Sequence, residues 1–327
     1  MVNDQGEIAK ARQAIRDDRF GGVDVVFVHS DEYANWVFDA DHPTQGRRFV
    51  LAREMLLNQA NDEGVKVMEL PADFLPEREL LHLVHTSDYV DQVLTQGMCN
   101  EWLGSRTDLG ALARRMAGGS LVAARALLEG CALTAVNFAG AKHHAMANHS
   151  SGFCVFNDHA MVAKYLVQDY EAVNRIAIVD FDAHHGDGTE ELLRDEPNAI
   201  TFSIHDSTIF PWTGHADSPD QGAFNRPLAA GSGDGELLAS IDDFTKIASE
   251  FEPDLVFVAM GADGHITDPL SSLNYSVDGM CAAIAQVRLA MPEVPFLLGG
   301  AGGYQPDSIT PHAWAAMTLA CASPPSP

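Results

Sequence analysis

Six short apolar runs, separated by segments with helical spacing, constrain the fold of this chain more than any other feature of its sequence. The runs are rich in Val, Ile, Leu and Phe, and they lie at 24–30, 133–139, 175–182, 199–206, 254–263 and 294–300. Continuous apolar runs of this length are typical of strands buried on both faces of a parallel sheet. The helical spacing occurs at 47–61, 110–129, 158–169, 236–251 and 277–290. This alternation predicts an α/β fold with a mainly parallel central sheet between layers of helices.

The rest of the sequence indicates one domain and no membrane span. No Pro-, Gly- or Ser-rich linker interrupts the alternation, so we expect a single domain over residues 1–322 and a disordered tail at 323–327. The first twenty residues are charged throughout and lack the apolar core of a secretory signal. No apolar run reaches the roughly eighteen residues that a membrane helix needs. We therefore expect a cytoplasmic protein.

The composition excludes several classes of partner and site. The chain carries 46 acidic and 20 basic side chains, a formal net charge of -26, which repels phosphate backbones and anionic lipids. We expect neither nucleic acid nor a membrane as partner, and the charge either attracts a cationic substrate or reflects an ordinary acidic surface. The five cysteines are odd in number and have no CxxC spacing, which argues against a disulfide framework or a thiolate metal site.

The stretch VDFDAHHGDG (179–188) crowds ionisable side chains at the end of a predicted strand. Asp182 and His184 are two residues apart, so in extended backbone they point to the same side and could share a cation. Asp263 ends another apolar run, and ligands bind at the carboxyl ends of parallel strands, so it is the best candidate for a third ligand. This set would leave Zn²⁺ an open position for water, and it would also suit Fe²⁺. Alternatively, Asp182 caps a turn and His184 is an ordinary histidine.

A second pair of histidines, His143 and His144, follows another predicted strand. Adjacent histidines suit proton transfer when an acid orients each of them, and Asp180 and Asp187 remain for that purpose. An isolated pair of this kind can also lie at a surface without a role.

Tyr304 follows four glycines in GGAGGY (299–304). Such a backbone can approach a ligand closely, although glycine-rich turns are common and the phosphate-binding GxGxxG pattern is absent. Beside a metal, the Tyr304 hydroxyl could polarise a carbonyl and stabilise an oxyanion.

Taken together, these residues resemble the histone deacetylase superfamily of zinc-dependent deacetylases, and within it the acetoin-utilisation branch. The resemblance runs in chain order through DHPTQGRR (41–48), HTSDYV (85–90), HHAMANHSSGFCVFND (143–158), VDFDAHHGDG, GADGHITDPL (261–270) and GGAGGY. It implies the arginase-like, three-layer α/β/α fold. It also implies an amidohydrolase that removes an acetyl or short acyl group from a lysine side chain or a related amine.

The resemblance implies a role for each residue of the site. The metal, Zn²⁺ or in the cell Fe²⁺, would be held by Asp182, His184 and Asp263. The acid and base would be His143, oriented by Asp180, and His144, oriented by Asp187, while Tyr304 would bind the carbonyl oxygen.

The resemblance also implies a substrate tunnel and a second ion. The tunnel would be walled by Gly152, Phe153, Phe210 and Leu270, with Trp212 near its entrance. A structural K⁺ would be held by Asp180, Asp182, His184, Ser203 and the Ile204 carbonyl.

The sequence departs from the family pattern near the tunnel entrance. Trp212 replaces a glycine of the usual PGTG, and the stretch at 214–228 is shorter than the usual glycine-rich loop. The acid that grips the substrate backbone in many relatives has no secure match, with Glu101 and Asp108 as candidates. His265 is a competing candidate for the metal.

Several functions stay open at this point. The substrate is an acetylated lysine of a protein or peptide, an acetylated polyamine or another small acylated amine. Two other readings are an arginase-like ureohydrolase, which would need a two-metal centre, and a non-catalytic binding protein of the same fold. The oligomeric state is left open.

Overall fold

A wholly parallel, eight-stranded sheet forms the centre of the molecule. The computed structural model describes residues 22–324. The strands are β1 (Val25–His29), β2 (Val67–Pro71), β3 (Thr134–Asn137), β4 (Ile176–Asp180), β5 (Ala199–Asp206), β6 (Ala223–Leu228), β7 (Leu255–Ala259) and β8 (Phe296–Gly299). Their order is β2-β1-β3-β8-β7-β4-β5-β6, and each neighbouring pair is parallel. The predicted α/β class with a parallel sheet is confirmed.

Helices cover both faces of this sheet. They are α1 (Arg47–Glu63), α2 (Arg78–Leu81), α3 (Ser87–Asp91), α4 (Thr107–Leu128), α5 (Asp158–Asp169), α6 (Asp187–Leu193), α7 (Asp234–Phe251), α8 (Val277–Ala290) and α9 (Ile309–Ala322). In one layer α1 packs on α9, α9 on α8 and α8 on α7, whereas α4, α5 and α6 pack in sequence in the other. The arrangement is therefore three-layered, α/β/α.

The strands at the two edges are the ones that the sequence patterns miss. The six predicted strands are almost completely buried, which is why they appear as continuous apolar runs. β2 (VMELP) and β6 (AFNRPL) are partly exposed, and each contains a proline, which sheets tolerate at their edges. The expectation of a loop over all of 214–228 is therefore wrong for 223–228, which adds a parallel strand beside β5.

Helix α9 is also missed, because it is apolar on nearly all sides and shows little amphipathic contrast. Its Trp314 stacks between Phe49 of α1 and Phe138 after β3, with ring centroids 5.9 and 5.7 Å away. The Trp314 indole N–H donates to the Met260 carbonyl over 3.0 Å. α9 thus anchors the end of the chain beneath the strand ends that carry the polar clusters.

The expectations for the start of the chain and for the end of its tail concern residues 1–21 and 325–327, which lie outside the described range. Between these segments, no helix is long and apolar enough to cross a membrane.

Candidate active site

Asp182, His184 and Asp263 meet at the carboxyl ends of two neighbouring strands. Asp182 and His184 follow β4, and Asp263 follows β7, which pairs with β4 in the sheet. All three are buried, and their ligand atoms lie within 4.8 Å of one another. The His184 Nδ1 atom is 3.1 Å from Asp182 Oδ1 and 2.9 Å from Asp263 Oδ2. The structure thus brings the three predicted ligands together.

The surroundings of the three side chains fit a bound divalent cation. The Gly302 N–H donates to Asp182 Oδ2 over 2.6 Å and the Ala183 N–H to Asp263 Oδ1 over 2.9 Å, which fixes both carboxylates. A Cβ atom at Gly302 would lie 2.2 Å from Asp263 Oδ2, so only glycine fits at this position. Two carboxylate oxygens and an imidazole nitrogen form a donor set that suits Zn²⁺ or Fe²⁺.

The electrostatics of the three residues also favour a positive charge between them. Burial, followed by the charge of Asp182, raises the pKa of Asp263 to about 6. Burial opposes charge on His184, but hydrogen bonds to Asp182 and Asp263 outweigh it and raise the pKa of His184 well above its ordinary value. A cation held between the two carboxylates removes the cost of burying them side by side.

Each histidine of the second pair contacts a different acid. The His143 Nδ1 atom is 2.6 Å from Asp180 Oδ2, and the His144 Nδ1 atom is 2.7 Å from Asp187 Oδ1. The two imidazole rings are adjacent, with centroids 4.0 Å apart, and the ring of His144 lies 5.9 Å from that of His184. Both histidines are buried, and the contact with its acid fixes the orientation of each ring.

The two rings have opposite protonation preferences. Burial acts to lower the pKa of His143, but the charges of Asp180 and Asp182 outweigh it and raise the pKa to about 9. Burial, and then the positive charge of His143, lower the pKa of His144 to about 4. His144 is therefore a neutral ring with a free Nε2 atom at neutral pH, suited to accept a proton.

Tyr304 lies beside His184, one of the metal-binding residues. Its ring packs edge-on against His184 and Phe153, with centroids 6.3 and 5.9 Å away. Its backbone N–H donates to Asp268 Oδ2 over 2.8 Å, and Asp268 Oδ1 accepts the Leu270 N–H over 3.0 Å. A single buried carboxylate therefore holds both Tyr304 and Leu270.

A cavity of about 360 Å³ leads to these residues from the surface. It is lined by His144, Gly152, Phe153, His184, Ile209, Phe210, Leu270 and Tyr304. Four of the five residues predicted for substrate contact thus line it. The fifth, Trp212, is 66% exposed and stands outside the cavity against Phe210, with ring centroids 5.8 Å apart.

The remaining candidates lie in different surroundings. His265 is not part of the three-residue metal group, and its Nδ1 atom lies 2.9 Å from Thr267 Oγ1. Asp108 is exposed and paired with Arg106, whereas Glu101 is half-buried and accepts the Phe153 N–H over 2.8 Å.

Two of the residues expected at the K⁺ site are cross-strand partners. Asp180 of β4 faces Ser203 of β5 in the register of the sheet. The Ser203 Oγ atom is 3.0 Å from His205 Nδ1, and the Asp182 N–H donates to Asp180 Oδ1 over 3.0 Å. Ile204 follows Ser203 in the same buried strand.

The sequence analysis misses several residues that support the site. Asp268 stands in the quoted GADGHITDPL, but only the fold brings its carboxylate to Tyr304. Arg48 of α1 donates through Nη1 to the Gly303 carbonyl over 2.7 Å, behind the loop that carries Tyr304. Ile209 adds to the tunnel lining. None of the three has a ligand-type spacing that would mark it in the sequence.

Comparison with known proteins agrees with this geometry. The model of the histone deacetylase domain matches residues 42–321. The acetoin utilization protein AcuC of Bacillus subtilis (strain 168) is 32% identical over 322 residues, which cover 90% of this chain and 81% of that protein. AcuC of Staphylococcus aureus (strain MRSA252) is 28% identical over 319 residues, covering 90% and 80%. A probable deacetylase of Archaeoglobus fulgidus is 29% identical over 277 residues, covering 81% and 76%.

The chain belongs to the histone deacetylase family. Its relatives lie in the acetoin-utilisation branch, so the resemblance derived from the sequence is confirmed. The three-layer fold is that of the family's arginase-like domain, and the protein is a deacetylase, a hydrolase of a metal-dependent family.

Proposed function

We propose that the protein is a zinc-dependent amidohydrolase that removes an acetyl or short acyl group from a lysine side chain or a related amine. The observation that carries this proposal is the position of the Asp182, His184 and Asp263 group beside an apolar cavity that opens to the surface. The cavity is also lined by the neutral ring of His144 and by Tyr304.

The shape and polarity of the cavity support a slender, amine-derived substrate. Phe153, Phe210 and Leu270 offer apolar contact to a methylene stem, and none of them carries a charge. An acyl-lysine or acylpolyamine arm would present its amide to the polar residues at the inner end. The formal charge of -26 attracts the cationic groups that surround such an amide.

The chain's own residues supply proton transfer and orientation. A divalent ion, when bound, would supply Lewis acidity to the amide carbonyl and to water. His144 accepts the proton of the attacking water at Nε2, since Asp187 holds its Nδ1 side. The Tyr304 hydroxyl donates to the carbonyl oxygen as negative charge develops there. A protonated histidine of the pair then donates to the departing amine.

We also propose that a structural K⁺ binds beside β4 and β5, through Asp180, Asp182, His184, Ser203 and the Ile204 carbonyl. The alignment of Asp180 with Ser203 supports this assignment. Replacing K⁺ by tetramethylammonium at constant ionic strength should lower the melting temperature, and an unchanged melting temperature would contradict it.

The proposed activity is tested by acetate release from the zinc-loaded protein. An acetyl-lysine peptide, acetylputrescine and acetylspermidine are compared at equal concentration. Faster turnover of the peptide assigns the protein to lysine deacetylation, and faster turnover of either polyamine assigns it to small amines.

Two variants separate catalysis from binding. His144→Ala and Tyr304→Phe should retain the fold and bound zinc, measured by circular dichroism and metal analysis, but lose at least about 100-fold in kcat. Unchanged kcat in both variants would refute the roles assigned here. Absence of release from every substrate would favour a different acylated amine or a binding protein.

A further inference from the structure

The Phe153 wall of the tunnel lies in an unusual backbone turn. Residues 151–154 form a tight turn in which Ser151 and Cys154 exchange two backbone hydrogen bonds, of 3.1 and 2.8 Å. Its two central residues, Gly152 and Phe153, both have positive φ angles, of 51° and 64°. Turns of this kind usually place Asn and Gly at the centre, because bulky L residues rarely adopt such angles. Something outside the turn must therefore hold Phe153 in place.

Glu101 makes that contact. Its Oε2 atom accepts the Phe153 N–H over 2.8 Å, an N–H that has no partner within the turn itself. The preceding residue adds a second attachment, since the Asn100 N–H donates to Ser150 Oγ over 2.8 Å and its side-chain amide to the Ser150 carbonyl over 3.3 Å. Residues 100 and 101 are thus hydrogen-bonded to residues 150 and 153, at the start and in the middle of the turn region.

The turn sets the position of a ring that shapes the tunnel. The Phe153 ring packs edge-on against Tyr304, at 5.9 Å, and against His42, at 4.5 Å. It contacts the substrate cavity on its remaining side. A shift of the Phe153 backbone would therefore change the width of the cavity and the support of Tyr304 together.

We propose that Glu101 is a positioning residue that fixes the Phe153 wall and thereby determines how tightly the substrate stem is held. The proposal rests on the proposed function. This role differs from that of the acid that grips the substrate backbone in many relatives, because the Glu101 carboxylate accepts an N–H of the protein itself.

Two substrates distinguish these roles. An acetyl-lysine peptide offers backbone amides beside its stem, whereas acetylcadaverine has a stem of similar length and no peptide backbone. Glu101→Ala should lower kcat/KM by about tenfold on both substrates to a similar degree, mainly through KM, since both pass the same wall. Glu101→Gln retains an acceptor oxygen and should restore most of this loss. Glu129→Ala, at an exposed glutamate that directly follows α4, serves as the matched control and should change neither value.

If kcat/KM of Glu101→Ala fell with the peptide alone, the result would overturn the proposal and indicate that Glu101 grips the substrate backbone. An unchanged kcat/KM with both substrates would overturn it as well. Hydrogen exchange provides a readout independent of catalysis. The Phe153 amide should exchange faster in Glu101→Ala than in the wild type, while the Cys154 amide, which donates to the Ser151 carbonyl, stays protected.

Unchanged protection of the Phe153 amide would refute the contact. If wild-type protein released acetate from neither substrate, the proposed function would fall, and the exchange measurement would still decide the role of Glu101.

Discussion

Gly152→Ala is expected to disable the enzyme by displacing His144. A Cβ atom at position 152 would lie 2.3 Å from Cδ2 of His144 and 2.7 Å from its Cγ, distances that real structures do not tolerate. The imidazole cannot move away freely, because its Nδ1 atom is held 2.7 Å from Asp187 Oδ1. The ring must tilt or lose that contact, and its Nε2 atom then leaves the position from which it accepts a proton.

The expected loss of activity follows from the role of His144 as a general base. A positioned general base contributes between about 100-fold and about 10,000-fold, which corresponds to about 3 to 5 kcal/mol of transition-state stabilisation. The substitution also places an L side chain at a φ of 51°, which costs about 1 to 2 kcal/mol of folding free energy. Relieving the clash with His144 adds to this backbone cost.

Gly64→Ala provides the matched control. Gly64 ends α1 with a φ of 73°, and a Cβ atom there would meet nothing within 4 Å. It therefore carries the same kind of backbone cost without a clash. Urea unfolding should show a loss of about 1 to 2 kcal/mol in Gly64→Ala and a larger loss in Gly152→Ala, because the clash adds to the backbone cost, whereas kcat for acetate release should fall at least about 100-fold in Gly152→Ala alone. A kcat for Gly152→Ala within a few-fold of that for Gly64→Ala would refute the reasoning.

Three further outcomes are expected. Asp263→Asn removes one of the three candidate ligands, so the rise in melting temperature on adding Zn²⁺ should shrink, and an undiminished rise would argue against the assigned site. Asp268→Asn replaces the carboxylate that accepts the Tyr304 N–H by an amide, which accepts hydrogen bonds through only one oxygen. Tyr304 is then held less firmly, so kcat should fall about tenfold at a nearly unchanged melting temperature. An unaltered kcat would contradict the link between Asp268 and Tyr304. Burial lowers the pKa of His85 from 6.5 to about 4, and its neutral Nε2 atom accepts the Asn157 N–H over 2.9 Å. Because the pKa of His85 is lower in the folded than in the unfolded protein, the stabilisation by the neutral ring is fully present above pH 6.5. About 3 kcal/mol of the free energy of unfolding is lost as the pH falls towards 4. Urea unfolding of His85→Gln should therefore show a flatter dependence of this free energy on pH than the wild type, and an equally steep dependence would exclude His85 as the cause.

The parts of the fold that the sequence predicts are those that are buried on both sides. β7 presents only apolar residues and β1 only His29 besides apolar ones, so their pattern needs no knowledge of their neighbours. β2 and β6 are strands because a neighbouring strand offers them hydrogen-bond partners at the edge of the sheet, and their own residues carry little strand preference. Edge pairing is a tertiary interaction, and a single sequence does not encode it locally.

The candidate site follows the same rule. Asp182 and His184 are detectable because two residues of extended chain bring them to one side, and Asp263 is detectable because it ends an apolar run. Asp268 is detectable neither by spacing nor by residue type, and Glu101 is a candidate only for the acid that grips the substrate, because their partners are the backbone N–H groups of Tyr304 and Phe153. A hydrogen bond to a backbone N–H leaves no signature in the identity of the donor residue.

The acids around β4 also support the proposed position of the cation. Asp180 and Asp187 each face one histidine of the pair, so both have a partner that can carry positive charge. Asp182 and Asp263 both contact His184, and Asp182 also lies 3.8 Å from His143 Nε2, so four acids share three histidines. A further positive charge would stabilise such a group, and the position beside the tunnel is where that charge would also face a bound amide. The excess of carboxylates thus coincides with the place where the proposed chemistry would use an ion.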